Sequence, residues 1–154
     1  IHYAAKKSNL RTISLLLSKD LDPNALNHHF ETPIFLSVRY GMLDVCKVLL
    51  ENDAFVDIKN RRFETPLDLA TIYDQKEIYQ YIKDYKQTPK YQLLLKQQAL
   101  LLTVLNRDHF TCRKLIEQNT PMRRNRLGKT ALDYAKSYQL PQHIALLNQW
   151  ITTQ

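Results

Sequence analysis

Residues 31–36, Glu31-Thr32-Pro33-Ile34-Phe35-Leu36, return at 64–69 as Glu64-Thr65-Pro66-Leu67-Asp68-Leu69, a shift of 33 positions. The likeness runs through the unit, with Arg39-Tyr40 facing Ile72-Tyr73 and Asp44-Val45 facing Glu77-Ile78. A third copy, Lys129-Thr130-Ala131-Leu132-Asp133-Tyr134-Ala135, lies 65 positions beyond Thr65, two periods less one. The opening Ile1-His2-Tyr3-Ala4-Ala5 reads as the same unit without its Thr-Pro. Self-similarity at such a period decides the architecture, because one short unit cannot bury its apolar face alone and must stack on the next.

Each unit reads as two short antiparallel helices. Thr32 and Thr65 are expected N-caps, whose hydroxyls can accept from free amides of the first turn. Pro33 and Pro66 then fall at the first helical position, where the missing N–H costs nothing. Gly41 breaks the first helix of its unit, and Leu43, Val45, Val48 and Leu49 give the second an apolar face at helical spacing.

The composition narrows the function classes. The 154 residues contain 44% apolar and 24% charged side chains, an ordinary globular mix. A chain of this size buries roughly 68–70% of its unfolded surface and needs no disulfide or metal staple. Two glycines, Gly41 and Gly128, are too few for a Gly-rich phosphate loop or a dinucleotide fingerprint. No apolar run reaches the roughly 18 residues of a membrane span, and no signal peptide is visible. The net charge of +7, with an isoelectric point near 9.4, is unevenly placed. Residues 1–85 hold 11 basic and 12 acidic side chains; residues 86–154 hold 11 and 3, a net of +8.

The 33-residue period, the Thr-Pro-Leu-type opening, the helix pair and the polar connector resemble the ankyrin repeat, over nearly the whole chain. The resemblance implies an all-α solenoid of about five helix-turn-helix units in one domain, 1–154. Their expected bounds are about 1–30, 31–63, 64–87, 88–128 and 129–154, with the last as a cap opened at its second helix by Pro141. Repeat one begins inside its Thr-Pro motif, so the chain is expected to belong to a longer polypeptide. Several positions depart from the family pattern. Asp20, Asp53 and Asn119 stand where glycine usually follows the second helix; these side chains tolerate the left-handed conformation. Phe30 and Phe63 replace the glycine before Thr-Pro, which leaves that turn geometry open. Thr88-Pro89 follows Thr65-Pro66 by 23 residues and precedes Thr130 by 42. The hairpin connector after Tyr85 is therefore expected to be lost, and one elongated helix of about 28 Å to run over 89–107 in place of a finger. Two helices meeting near Lys96-Gln97-Gln98 are the alternative.

No catalytic residue, cofactor site or metal site is expected. Cys46 and Cys112 sit in apolar helical stretches and read as buried reduced thiols of a cytoplasmic protein. Two repeats separate them, roughly 20 Å at 8–10 Å per layer, beyond disulfide reach. His2, His28, His29, His109 and His143 form no ligand spacing. His2 matches the family histidine that hydrogen-bonds between repeats, and Asp44, Glu77, Asp68 and Asp133 recur with the fold and read as structural.

The resemblance implies protein–protein recognition through the concave first-helix face and the finger loops. By register the concave positions are Lys6 and Lys7, Arg39 and Tyr40, Ile72 and Tyr73, Asn106 and Arg107, Ser137 and Tyr138. Tyr40, Tyr73 and Tyr138, flanked by Lys7, Arg39 and Arg107, are read as a candidate partner face, since Tyr and Arg are enriched at binding hot spots. Packing between neighbours is the other reading of those rings. The fingers add Lys59, Arg61 and Arg62, then Arg123, Arg124 and Arg126, which suit an acidic patch on a protein partner. A monomer without a small-molecule substrate is expected. Recruitment of substrate for a larger enzyme is one alternative, and binding of nucleic acid or anionic lipid by the basic half is another. Nucleic acid is disfavoured, because the fingers lack interleaved aromatics and no recognition helix appears. The Leu-, Gln-, Asn-, Lys- and Tyr-rich degenerate repeats also look similar to bacterial effector ankyrin proteins delivered into host cells, which would make the partner a host protein.

Overall fold

The computed structural model describes residues 1–7 and 9–154, and every regular element among them is an α-helix. Two units emerge, Ile1–Gln92 and Leu93–Gln154. The first contains the pairs α1 (His2–Lys6) with α2 (Leu10–Ser18), α3 (Pro33–Arg39) with α4 (Leu43–Glu51), and α5 (Pro66–Ile72) with α6 (Lys76–Lys86). First helices form one row, α1 on α3 on α5, and second helices another, α2 on α4 on α6. Helices this short are marginal in water alone, so their stability comes from the layer between the rows. Ile13, Ile34, Phe35, Val38, Val45, Leu49, Leu69, Ile78 and Ile82 are buried there.

Local chemistry fixes where the helices start and stop. Thr65 and Thr130 cap α5 and α10 in full capping boxes with Asp68 and Asp133, which explains why those carboxylates recur. Thr32 takes the same extended conformation but makes no side-chain cap. Its third helical residue is Phe35, not Asp, and the Phe35 amide donates instead to the Thr32 carbonyl at 3.1 Å. The Thr32 hydroxyl is left buried without a partner among the described residues, contrary to the capping expectation. Asp20, Asp53 and Asn119 hold positive φ of 58°, 66° and 56° just past the second helices, as their type suggests. Between repeats, His2 Nε2 bonds the Glu31 carbonyl at 2.9 Å.

The second unit pairs α8 (Ala99–Leu105) with α9 (His109–Glu117) and α10 (Ala131–Ser137) with α11 (Pro141–Thr153); α8 packs on α10 and α9 on α11. The single helix expected over 89–107 is not formed. α7 (Pro89–Gln97) ends one residue before α8, and Gln98 between them lies at φ −114° and ψ 25°. The Gln98 side chain is buried and donates through Nε2 to the Arg124 carbonyl at 3.3 Å, so a tertiary bond holds the break. α8 then stops at Leu105. Arg107 takes the left-handed turn at φ 56°, the place Gly41 occupies at 69°.

Cys46 and Cys112 are buried free thiols. Burial pushes the Cys46 thiol up to about 12, although the Ser37 hydroxyl lies 2.9 Å away and opposes the shift. Among the described residues no helix is long and apolar enough to cross a membrane.

Candidate recognition cleft

Three fingers share one turn, built by an asparagine. In each, the Asn amide donates to a carbonyl four residues on: Asn27 to Glu31 (3.0 Å), Asn60 to Glu64 (3.0 Å), Asn125 to Lys129 (2.8 Å). The Asn side-chain oxygen accepts the amides two and four residues ahead, at 2.9–3.0 Å every time. Such an Asx turn closes the hairpin without a sheet. The residue before the closing position needs positive φ, which Phe30 (58°), Phe63 (61°) and Gly128 (73°) all adopt. Phenylalanine therefore keeps the glycine turn rather than altering it.

Between the second finger and the C-terminal ends of α3 and α5 lies a cleft of about 300 Å³. Arg39, Tyr73, Arg61 and Arg62 line it, together with His29, Glu31, Asn60, Glu64, Leu69 and Ile72. Arg39 forks onto Glu31, Nη1 to Oε2 at 3.2 Å and Nη2 to Oε1. That hydrogen bond leads the causes that raise the Arg39 pKa, so the guanidinium stays charged. Glu31 is buried and Arg39 half-buried, which makes the pair a rigid wall of the cleft rather than a loose surface bridge.

Cations and tyrosines alternate along the first-helix ends. Lys6 Nζ lies 5.6 Å from the Tyr40 ring centre, and one repeat later the Arg39 guanidinium lies 6.0 Å from the Tyr73 ring. The ladder stops at Tyr73, because the next cation position is Ile72. Tyr40 and Tyr73 stay 43% and 44% exposed, so each ring packs on one side and presents the other. Each ring thus has a packed side and an accessible side.

The remaining expected residues divide as follows. Lys7 caps α1 but leans over Tyr3 (5.9 Å), and Lys6 reaches the tyrosine instead. Arg107 falls one position past the register of Tyr40 and Tyr73. It occupies the turn, and its Nη1 donates to the Leu105 carbonyl at 2.8 Å; Asn106 is the C-cap that corresponds to Tyr40 and Tyr73. Tyr138 caps α10 in the second unit and packs tilted on Tyr134, 6.3 Å between centroids. Lys59 is exposed outside the cleft, and Arg61 lies 4.6 Å over the Phe30 ring. Of the other finger's arginines, Arg124 is used inside the loop, donating to the Gly128 carbonyl at 2.6 Å, whereas Arg123 and Arg126 are exposed.

Sequence reasoning missed Asn27, Asn60 and Asn125, although they recur at spacings of 33 and 65 and carry every finger. It also missed Tyr91. That side chain is fully buried, donates to Asp57 Oδ2 at 2.8 Å and accepts the Val56 amide at 2.9 Å. Burial raises its pKa far beyond the usual tyrosine range.

Comparison with known proteins agrees with this geometry. The family model described as ankyrin repeats (3 copies) matches residues 1–92, the whole of the first unit. A 51-residue stretch is 38% identical to the transient receptor potential cation channel subfamily A member 1 homolog of Caenorhabditis elegans. That match takes in 32% of this chain and 4% of that relative. The second unit repeats the helix pairs, the left-handed turns and the Asn finger of the first. With helix rows, capping boxes and Asx fingers recurring at this period, the chain belongs to the ankyrin-repeat family, whose repeats generally mediate protein–protein interaction.

Proposed function

We propose that this chain is a recognition module that grips an acidic segment of a protein partner in the cleft between Arg39, Tyr73, Arg61 and Arg62. The observation that carries the reading is the convergence of these four side chains, two helix ends and one finger, on a single cleft of about 300 Å³. The half-exposed Tyr73 face, with Leu69 and Ile72, supplies apolar area, and the finger arginines supply charge. Glu31 and Glu64 temper that charge, so the cleft selects a segment with a few carboxylates rather than a polyanion. The likeness to a channel homologue concerns 4% of that protein, so the reading borrows the repeat and leaves ion conduction aside. A nematode relative lends no support to a bacterial origin or a host-cell partner.

A peptide array graded in Asp and Glu content tests the reading. Binding should rise with acidic content. Tyr73→Ala or the pair Arg61→Glu and Arg62→Glu should weaken it about tenfold or more, with helical content by circular dichroism unchanged. Equal affinity of Tyr73→Ala and wild type for every acidic peptide would remove the cleft from consideration.

A further inference from the structure

The two fingers of the first unit touch in a specific way. The Arg61 amide donates to the His29 carbonyl at 3.1 Å, and the Arg61 guanidinium covers the Phe30 ring at 4.6 Å. One period onward, Phe30 becomes Phe63, His29 becomes Arg62, and the position of Arg61 becomes 94, which lies inside helix α7. α6 gives way to α7 after two residues, so the third repeat has no finger of its own. Phe63 is accordingly 80% exposed, the most exposed large apolar side chain among the described residues.

Two further observations point to use of this edge. A bulky residue at φ 61° carries a backbone penalty that Gly128 avoids in the equivalent turn. Retention of an uncovered aromatic at a strained position suits a contact residue better than a turn residue. Glu64 also differs from its counterpart. Glu31 is neutralised by Arg39 of its own repeat, but the position of Arg39 is Ile72 in the next, and among the described residues no cation lies within ion-pair distance of Glu64. The edge thus combines an uncovered ring with a carboxylate that is held by Asn60 Nδ2 at 2.9 Å and, among the described residues, has no cation within 4.0 Å.

We propose that the Phe63 edge of the second finger receives an arginine-bearing turn or extended segment of a protein partner, standing in for the missing third finger. The partner's backbone N–H meets the Arg62 carbonyl, and its guanidinium lies across Phe63 toward Glu64, as Arg61 lies across Phe30. This surface goes beyond the acidic-segment reading of the cleft and stands without it.

The probe is a cyclic peptide of residues 57–66 carrying Arg62→Gln, which removes a like charge from the chain's own Arg62. It is titrated into the isotope-labelled chain and followed by amide NMR shifts. The expected result is movement of the Arg62, Phe63 and Glu64 signals. Affinity should fall about two- to five-fold on Phe63→Gly in the chain or Arg61→Ala in the probe. Tyr73→Ala, which tests the cleft, should leave this titration unchanged. Phe63→Gly should melt about 1–4 °C above wild type, so the lost binding is not lost folding. Phe63→Asn, which also tolerates the left-handed region, should lose binding to the same degree. Unmoved Arg62–Glu64 signals at millimolar probe would overturn the proposal, as would equal affinity of the wild type and the Phe63 variants.

Discussion

Asn60→Ala is the sharpest test of how the fingers are built. Asn60 is 4% exposed. Its Oδ1 accepts the Arg62 and Glu64 amides at 2.9 and 3.0 Å, and its Nδ2 donates to Glu64 Oε2 at 2.9 Å. Truncation removes two neutral bonds of about 1 kcal/mol each and one to a charged acceptor of about 1.5–3 kcal/mol. The part-buried amides regain some hydration, so the expected net loss is about 2–4 kcal/mol. For a chain of this size about 2–4 °C accompanies each kcal/mol, which places the fall in melting temperature at about 5–15 °C. Because the chain has two units, the melt is to be paired with hydrogen exchange at the Arg62 and Glu64 amides, where the loss must concentrate. Asn125→Ala is the internal control. It removes the same two amide bonds, but its Nδ2 donates to the neutral Tyr134 hydroxyl at 2.9 Å, so the loss should be smaller. A loss below about 0.5 kcal/mol at Asn60, or a larger one at Asn125, would refute the Asx-turn account.

Other expectations follow from the same structure. Thr65→Val should cost about 1 kcal/mol through its capping box, whereas Thr32→Val, which removes a buried hydroxyl without a partner, should leave the urea midpoint unchanged or raise it. His143 is buried, its Nε2 meets no partner among the described residues, and burial depresses its pKa although a hydrogen bond from the ring to the Asp108 backbone opposes the shift. Its folded value thus lies below the unfolded value of about 6.5, so its contribution is complete above that pH and is lost as pH falls below it. His143→Val should therefore flatten the decline in melting temperature between about pH 7 and 5, with His2, depressed by burial in the same sense, keeping a residual slope. Finally, Asn24→Asp should destabilise by about 2–4 kcal/mol in urea titrations, because an acceptor-only side chain cannot donate to the Asp53 carbonyl that Asn24 meets at 2.9 Å.

What the sequence disclosed and what it hid have separate physical causes. The repeat, the Thr-Pro helix starts and the left-handed Asp20, Asp53 and Asn119 were legible because each depends on a few residues close together in the chain. The break at Gln98 was not, since no Gly or Pro marks it and a bond to the distant Arg124 carbonyl holds it. The Arg107 assignment slipped for another reason. It set Arg107, 34 positions beyond Tyr73, against a period of 33, while Thr130 lies 65 positions after Thr65. Asn106 still lies 33 beyond Tyr73, and Asn119 66 beyond Asp53, but Asn125 lies 65 beyond Asn60. The missing residue therefore falls in the connector between 119 and 125, after the concave position rather than before it. In the candidate cleft, residue types and positions could be read, but not their pairing: nothing local in the chain says that Glu31 holds Arg39, or that Arg61 lies on Phe30.

Loss of the third finger and the acidic residue at position 57 are one adjustment rather than two. In the first repeat Asn24 serves as both donor and acceptor, to the Asp53 carbonyl and from the Phe55 amide at 2.8 Å, so it clasps the backbone of the next connector. Its counterpart Asp57 has no following connector to clasp. A carboxylate can only accept, and the segment that replaces the connector supplies two donors, Lys86 Nζ at 2.5 Å and the Tyr91 hydroxyl at 2.8 Å. Tyr91 in turn accepts the Val56 amide, and Tyr85 closes the end of α4 by donating to the Leu50 carbonyl at 2.8 Å. Side chains from α6 and α7 thus do the work that backbone does between the first two repeats. The family match also ends at residue 92, one residue past Tyr91. The change from backbone to side-chain pairing leaves the outer edge of the second finger, with Phe63 and Glu64, without the cover that the first finger has.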